Sequence, residues 1–534
     1  MDIIGNLRKL FGRSSNRAKQ QRIILQRSYH GAQGGRLTAN WTSSNSSGDA
    51  ELIGSLTKLR GRSRQLVRDA SYAKRAKVIV VNNVIGSGIG MQAQVRNRNE
   101  PKRLLNEINN EIEEVWSEWS RPSYCHMGGK LHFSDIERVA MGQIFEAGEV
   151  IIRKHRIQIP GSPIALALEL IEPERLADHY SVSTPINGNE IRMGVEQDSY
   201  GRPQAYWLHR IHPGEVAIGV QKTDMLVRVP ADQIMHLYPI SRWPQSRGEP
   251  WMHAAARRLN DMEGYSEAEI VAARGAASYM AFIKTPDATS LAADVEEDGQ
   301  RQISMEPGIV EQLPPGWDIE MNNPNRPNPN MDPFMRLMLR EIAAGVGVSY
   351  ESLSRDYSQS NYSSSRLALL DDRDLWKVLQ SWFIRTFREE LHREWMEIAV
   401  LSGALRKIPL DAYLADPKRF SAVQFKPRGW SWVDPTKEVQ AYKDAVRCGF
   451  TTVSDVISQT ANGKDLEDVM QERRRELDMM EEMDLEFDTD PESDEPDAPE
   501  PEATAPATAS PPVESDDDDE TEAARVVPIR SNAL

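Results

Sequence analysis

Cysteine is almost absent. Cys125 and Cys448 are the only two in 534 residues, too few for a disulfide framework, which points to synthesis in a reducing compartment. Long apolar runs are missing as well. Nothing approaches the roughly 18 residues that a membrane-spanning helix needs, and Met1 to Gly12 lacks the apolar core of a signal peptide. The expectation is a cytosolic product without a membrane span. The short motifs of catalysis are also lacking. Gly128-Gly129-Lys130 runs into Leu131 and has no upstream glycine at P-loop distance, Gly463-Lys464-Asp465 is no better, and neither a G-x-S-x-G elbow nor an H-E-x-x-H helix occurs. Nucleotide hydrolysis, serine-esterase chemistry and zincin chemistry are therefore not expected. The chain is read as a non-enzyme with no cofactor.

Two constellations invite a sharper reading. Gly86, Gly88 and Gly90 suggest a dinucleotide fingerprint, but the spacing is G-x-G-x-G and no clean strand, loop and helix unit follows, so a structural turn is expected. Cys125, His126 and His132 fall close together, yet no second ligand cluster follows at a zinc spacing, so no metal site is assigned. Asp371 and Asp372 sit with Arg373 and Asp374 on a helix, where a solvated face is the expectation.

What is present is unevenly distributed. The length suits about three to four domains, and the hydrophobic share of 40% is low enough to suggest an open or unfolded portion. From Glu476 to Leu534 there are 21 acids against Arg525 and Arg530, a net of −19 that leaves +3 for residues 1–475 out of the chain's −16. The acidity belongs to a tail rich in Pro, Ala, Asp and Glu, expected to be disordered. Residues 1–48 are the opposite, a basic arm with Arg8, Lys9, Arg13, Arg17, Lys19, Arg22 and Arg27 against Asp2. It reads as a mobile arm or as an electrostatic contact with nucleic acid or a partner.

Between these ends the chain alternates. A helix is expected from Ala50 to Lys77, then a β-branched run, VIVVNNVIGSGIGMQAQV, read as strand that turns at its glycines. Helices follow over 103–120 and 135–149, and short strands over 150–235 punctuated by Pro-Gly and Asn-Gly turns. A long helix over 251–283 carries Ala255, Leu259, Ala273 and Ala277 among many small residues, which permit close helix approach. A helix-poor, proline-rich insert then runs from Thr285 to Met331.

The stretch from Met331 to Arg366 organises the rest. Asp332 as N-cap and Pro333 at the first helical position open a short amphipathic helix with Phe334, Leu337, Met338 and Ile342 on one face, ending at Gly345 and Gly347. A polar loop, Ser354 to Ser365, follows, and near Ser364 a longer helix begins whose apolar face continues to Ile398. The wording G-V-S-Y-E-x-L-S-x-D-Y-S-x-x-N-Y-S-S-x-R over 347–366 closely resembles the portal proteins of lambda-type tailed bacteriophages. So do the closing words from Trp432 to Gln471, and a strand end at His236 before the turn Gln245, Arg247 and Gly248.

The resemblance implies an α+β portal fold: basic arm 1–48, wing 49–250, first stem helix 251–284, clip insert 285–331, second stem helix 332–347, channel loop 348–365, a long helix returning to the wing over 366–419, helical crown 420–475 and acidic tail 476–534. It implies a homo-oligomeric ring, dodecameric in this family, at one capsid vertex of the virion, assembled in the host cytoplasm. Double-stranded DNA would pass through it. The terminase large subunit, head-completion or tail-connector proteins and the major capsid protein would be its partners. Arg355, Tyr357, Ser358, Asn361, Tyr362, Ser363 and Arg366 are the expected channel-loop residues. Ala255, Leu259, Ala273, Ala277, Phe334, Leu337 and Met338 are those of the stem helices. A non-channel scaffold or a nucleic-acid-binding virion protein is the alternative.

Overall fold

The computed structural model describes residue 36 and residues 45–98, 105–215, 226–278, 282–284, 318–320, 328–430, 435–460 and 466–485. Residues 1–433 form one compact unit and residues 434–534 another.

The larger unit opens with α1 (Gly48–Ile53), α2 (Leu56–Asp69) and α3 (Ser71–Val84). The last of these overturns a sequence expectation, because the β-branched run is helix through Val84 and only β1 (Gly90–Ala93) is strand. The reason is burial at helical period. Ala73, Ala76, Val80 and Val84 are at most 1% exposed, and that packing outweighs an intrinsic β preference of order 1 kcal/mol. The single helix expected from Ala50 to Lys77 is broken at Ala70, whose extended backbone separates α2 from α3.

Next come α4 (Asn106–Trp119) and α5 (Phe133–Ala147). His132, raised above as a metal question, instead caps α5 in a reciprocal box with Asp135, and Cys125 is buried. The expected strands follow: β2 (Val150–His155), β3 (Ala167–Ile171), β4 (Val182–Ile186), β5 (Asn189–Arg192), β6 (Val195–Gln197), β7 (Pro203–His209), β8 (Leu226–Pro230) and β9 (Ile234–Leu237). They make a three-stranded sheet in the order β3-β2-β9 and a five-stranded antiparallel meander β4 to β8. Ile151, Ile171, Leu176, Tyr206, Leu208 and Val229 form a buried cluster of their own between these strands.

The long helix is α6 (Ala256–Ser278), preceded by a 3-10 turn over Trp251–Ala254. It leads to β10 (Phe282–Lys284), paired antiparallel with β11 (Asp318–Glu320). Most of the proline-rich insert, residues 285–317 and 321–327, lies outside the described residues. After it come α7 (Met331–Val346), α8 (Tyr350–Ser354), α9 (Tyr362–Phe383) and α10 (Glu389–Leu401). A π-helical segment, Ile384–Arg388, divides α9 from α10, so the long helix expected from Ser364 is interrupted by a bulge. β12 (Val423–Lys426) returns to pair with β1.

One large core joins these helices to the three-stranded sheet. Its centre is aromatic: Trp116, Trp119 and Trp395 have ring centroids 5.1–6.4 Å apart, with Phe133 and Phe387 stacked at 5.9 Å. A second centre is ionic. Glu149, fully buried, accepts from Arg60 Nη2 at 3.0 Å, Arg247 Nη2 at 2.5 Å, His236 Nε2 at 2.9 Å and the Gly248 N–H at 2.8 Å. Arg247 also donates to Asp178 Oδ1 at 2.6 Å. Burial pushes the Glu149 carboxyl up, but Arg247, His236 and Arg60 outweigh it and hold the group well below the usual carboxylate range. Gly248 lies against the Gly148 carbonyl so closely that a β-carbon at either glycine would overlap the other's backbone. This accounts physically for the turn words His236, Arg247 and Gly248.

The second unit has three described helices: α11 (Pro435–Arg447), α12 (Val453–Thr460) and α13 (Leu466–Glu482). Pro435 opens the first, as expected. Thr452 rather than Ser454 caps α12, exchanging hydrogen bonds with Asp455 at 3.1 and 3.3 Å. The helix through Glu482 also carries order past 476, where the disordered tail was expected to begin; Trp432, Asp434, Gly463 and residues 486–534 lie outside the described residues.

Candidate functional site

The polar loop is set by the two ends that hold it. α7 ends in Gly347, whose φ of 79° lets its N–H return to the Ala343 carbonyl at 2.9 Å. Asn330, not Asp332, occupies the cap position; Asp332 lies inside the first turn and pairs with Arg336 at 3.1 Å. Ser349 then caps α8, and one residue on α9 locks the junction. Asp372 accepts from the Ser349 N–H at 2.9 Å, Ser349 Oγ at 2.7 Å and Ser352 Oγ at 2.8 Å. The carboxylate run was expected to be solvated. Asp371 and Asp374 are exposed, but Asp372 is only 6% exposed because it faces these serines.

The loop itself is a set of short-range hydrogen bonds. Arg355 ends α8 at a φ of 58°, a left-handed cap that is uncommon outside glycine and asparagine. Asp356 accepts from the Ser358 N–H at 3.0 Å, Ser358 Oγ at 2.6 Å and Tyr350 Oη at 2.8 Å. Those bonds, the Ser358 hydroxyl first, hold its carboxyl down to about 2, so it stays ionised. Arg336 approaches it at 3.6 Å, and the Arg340 guanidinium lies 5.4 Å from the centre of the Tyr350 ring. Asn361 and Ser364 form a reciprocal cap that starts α9 at Tyr362, two residues before Ser364, where the sequence suggested a start.

The expected loop residues thus come together on one tip with different tasks. Tyr357 is 59% exposed, and Arg355, Ser358 and Ser363 are exposed. The Asn361 side-chain carbonyl is spent on the helix cap, Tyr362 opens the helix, and Arg366 is half-buried. Sequence reasoning missed Arg75, which donates to the Ser352 carbonyl at 3.3 Å, and Arg336 and Arg340. The last two stand at i+4 spacing from Asp332 and Arg336, a signal readable in the sequence.

α6 and α7 lie side by side behind this tip. Arg258 pairs with Glu341 at 2.9 Å, and the Tyr265 and Phe334 rings are 4.8 Å apart. A β-carbon at Gly345 would stand 3.3 Å from that of Ala255, so the small residues do permit close approach there. Ala255, Leu259 and Met338 are buried, whereas Ala273, Phe334 and Leu337 are exposed, Leu337 by 56%. Ala277 lies in the last turn of α6.

Comparison with known proteins agrees with the words that carried the resemblance. Residues 34–380 match the model of the phage portal proteins of the lambda family. A probable portal protein of Halomonas phage phiHAP-1 is 32% identical over 454 residues, covering 83% of this chain and 85% of the relative. Portal protein B of Escherichia phage lambda is 21% identical over 483 residues, 84% and 89% of the two chains. Among solved structures, a chain from the neck of an empty gene transfer agent particle is 15% identical with a TM-score of 0.41, over 75% of this chain and 93% of that one. On the extent of the family match and the length of the phiHAP-1 alignment, this chain belongs to the lambda family of phage portal proteins.

Proposed function

We propose that this chain is the subunit of a ring, dodecameric as in the family, at one capsid vertex of the virion. Double-stranded DNA enters through its bore during packaging and leaves through it at infection. In this reading residues 49–250 form the wing, 251–284 and 332–347 the stem, 285–331 the clip, 366–419 the long helix that returns to the wing and 420–475 the crown. Loop 348–365 faces the bore. The terminase large subunit docks on the clip and supplies ATP hydrolysis. Head-completion or tail-connector proteins later take its place, and the wing and crown meet the major capsid protein.

The observation that carries this reading is the chemistry of the tip. Tight binding of duplex DNA requires a row of lysines and arginines that displaces phosphate counterions. A conduit has to avoid that grip. Tyr357, Ser358, Gln359, Ser360 and Ser363 offer neutral hydrogen-bonding groups, while Arg355 and ionised Asp356 offset one another at the tip. Such a surface touches passing phosphates without holding them. The Asp372 clamp and the Asn361 cap keep the tip ordered at both ends.

The test is a chain lacking residues 356–360, made with its packaging partners. Rings of the usual size that package poorly or lose DNA are the expected result. Failure of the rings to form would make the loop a structural element and remove it from the bore.

A further inference from the structure

α9 is buried on one side only. Its other side is a stripe at helical spacing, Leu367, Leu370, Asp371, Asp374 and Val378, in which Leu367 is 70% and Val378 64% exposed. Beside it lies a groove of about 520 Å³ bounded by Ala344, Val348, Asp371, Leu375 and Val378. It is an apolar surface rimmed by acid. Elsewhere in the same unit α2 and α3 present the opposite sign. Lys58 and Arg62, one turn apart on α2, and Lys74 on α3 are exposed and make no ion pair among the described residues. Val78, one turn beyond Lys74, opens with Val139 into a groove of about 320 Å³ edged by Lys77 and Arg138.

We propose that these two faces meet between copies of this chain: the acid-rimmed stripe of α9 docks on the basic, valine-lined face of α2 and α3 of a second copy. The inference rests on the ring reading above and goes beyond it by naming the surfaces. A ring of identical chains joins two different faces, and closure requires them to complement each other. These two do so in charge and in exposed apolar area. A monomer exposing Leu367, Leu370 and Val378 in one line would carry an unpartnered apolar patch that a second copy covers. Opposite charge at the rim also sets the order of the faces, because like faces repel. Asp372 is excluded from this contact, since Ser349 and Ser352 hold it inward.

Two charge-reversed full-length chains test it. One carries Asp371→Lys and Asp374→Lys, so that both of its faces are basic. The other carries Lys58→Glu, Arg62→Glu and Lys74→Glu, so that both are acidic. Particle mass and electron microscopy are the readouts. Each variant alone should need at least about tenfold more protein than the unsubstituted chain to form rings at low salt. A mixture of the two should form rings of alternating subunits, because each acidic face then meets a basic one.

Variants that assemble alone as readily as the parent, or a mixture that assembles no better than either variant, would overturn the pairing while leaving the ring reading in place. Absence of rings from the unsubstituted chain under every assembly condition would instead overturn the ring reading, and this interface with it. Rescue by mixing cannot come from a misfolded variant, so loss of folding is not mistaken for loss of contact.

Discussion

Glu137 offers the sharpest test of the energetics inside the core. Its side chain is fully buried; Oε2 accepts the Ile89 N–H at 3.1 Å, and Oε1 stands 3.4 Å from Arg388 Nη1 without a hydrogen bond. Arg388, 1% exposed, is packed among the rings of Trp116, Phe133 and Phe425 at 5.0, 4.8 and 4.9 Å. Burial pushes Glu137 up from 4.5 to about 7, against the opposing pull of Arg388 and the Ile89 N–H. Because the folded value is the higher one, the protonated acid stabilises the fold fully below 4.5, and this contribution is lost as pH rises through about 7. The loss is on the order of 3 kcal/mol. Glu149 does not confuse the measurement: its folded value is depressed, so its contribution is present above 4.5 and is lost only at lower pH. The substitution Glu137→Gln keeps an acceptor for Ile89 and removes the titration. Thermal unfolding of the chain and of the variant at pH 5 and pH 8 should show the difference in Tm moving on the order of 5 °C in favour of the variant at the higher pH. Parallel behaviour at both pH values would refute the assignment of a proton to this site.

Two further outcomes follow from the geometry. Arg247→Met leaves buried Glu149 with Arg60 and His236 alone and strands Asp178; a loss of about 3–5 kcal/mol is expected, read as an earlier denaturant midpoint. Asp356→Ala removes the acceptor of the Ser358 N–H, so amide exchange at Ser358 should quicken while α7 and α9 keep their protection; unchanged exchange would mean that the turn is held from elsewhere.

Much of the candidate site was legible in the chain because its structure is local. The helix from Met331, the polar tip and the helix after Asn361 are all written in spacing and capping chemistry within a few residues. The cap positions moved by only two residues at each end, since Asn330 for Asp332 and Asn361 for Ser364 are exchanges of one capping side chain for another. The strand expected at Val78 to Val84 failed for the opposite reason. β-branched residues prefer strands on exposed or half-buried surfaces, and here packing against α2, α5 and the later helices fixed them as a helix.

The sequence by itself determined the uneven charge, the amphipathic helices, the turn-punctuated strands and the family words, all of which depend on composition or on neighbours in the chain. Only the tertiary structure decided which of three clustered acids turns inward, for the identity of Asp372 depends on where Ser349 and Ser352 are carried by α7. It likewise brought Arg60, Glu149, Asp178, His236 and Arg247 to one point from five separate segments. No local pattern marks such a cluster. Its members are selected by the cost of burying a charge without its partners, and that cost exists only once the chain has closed around them.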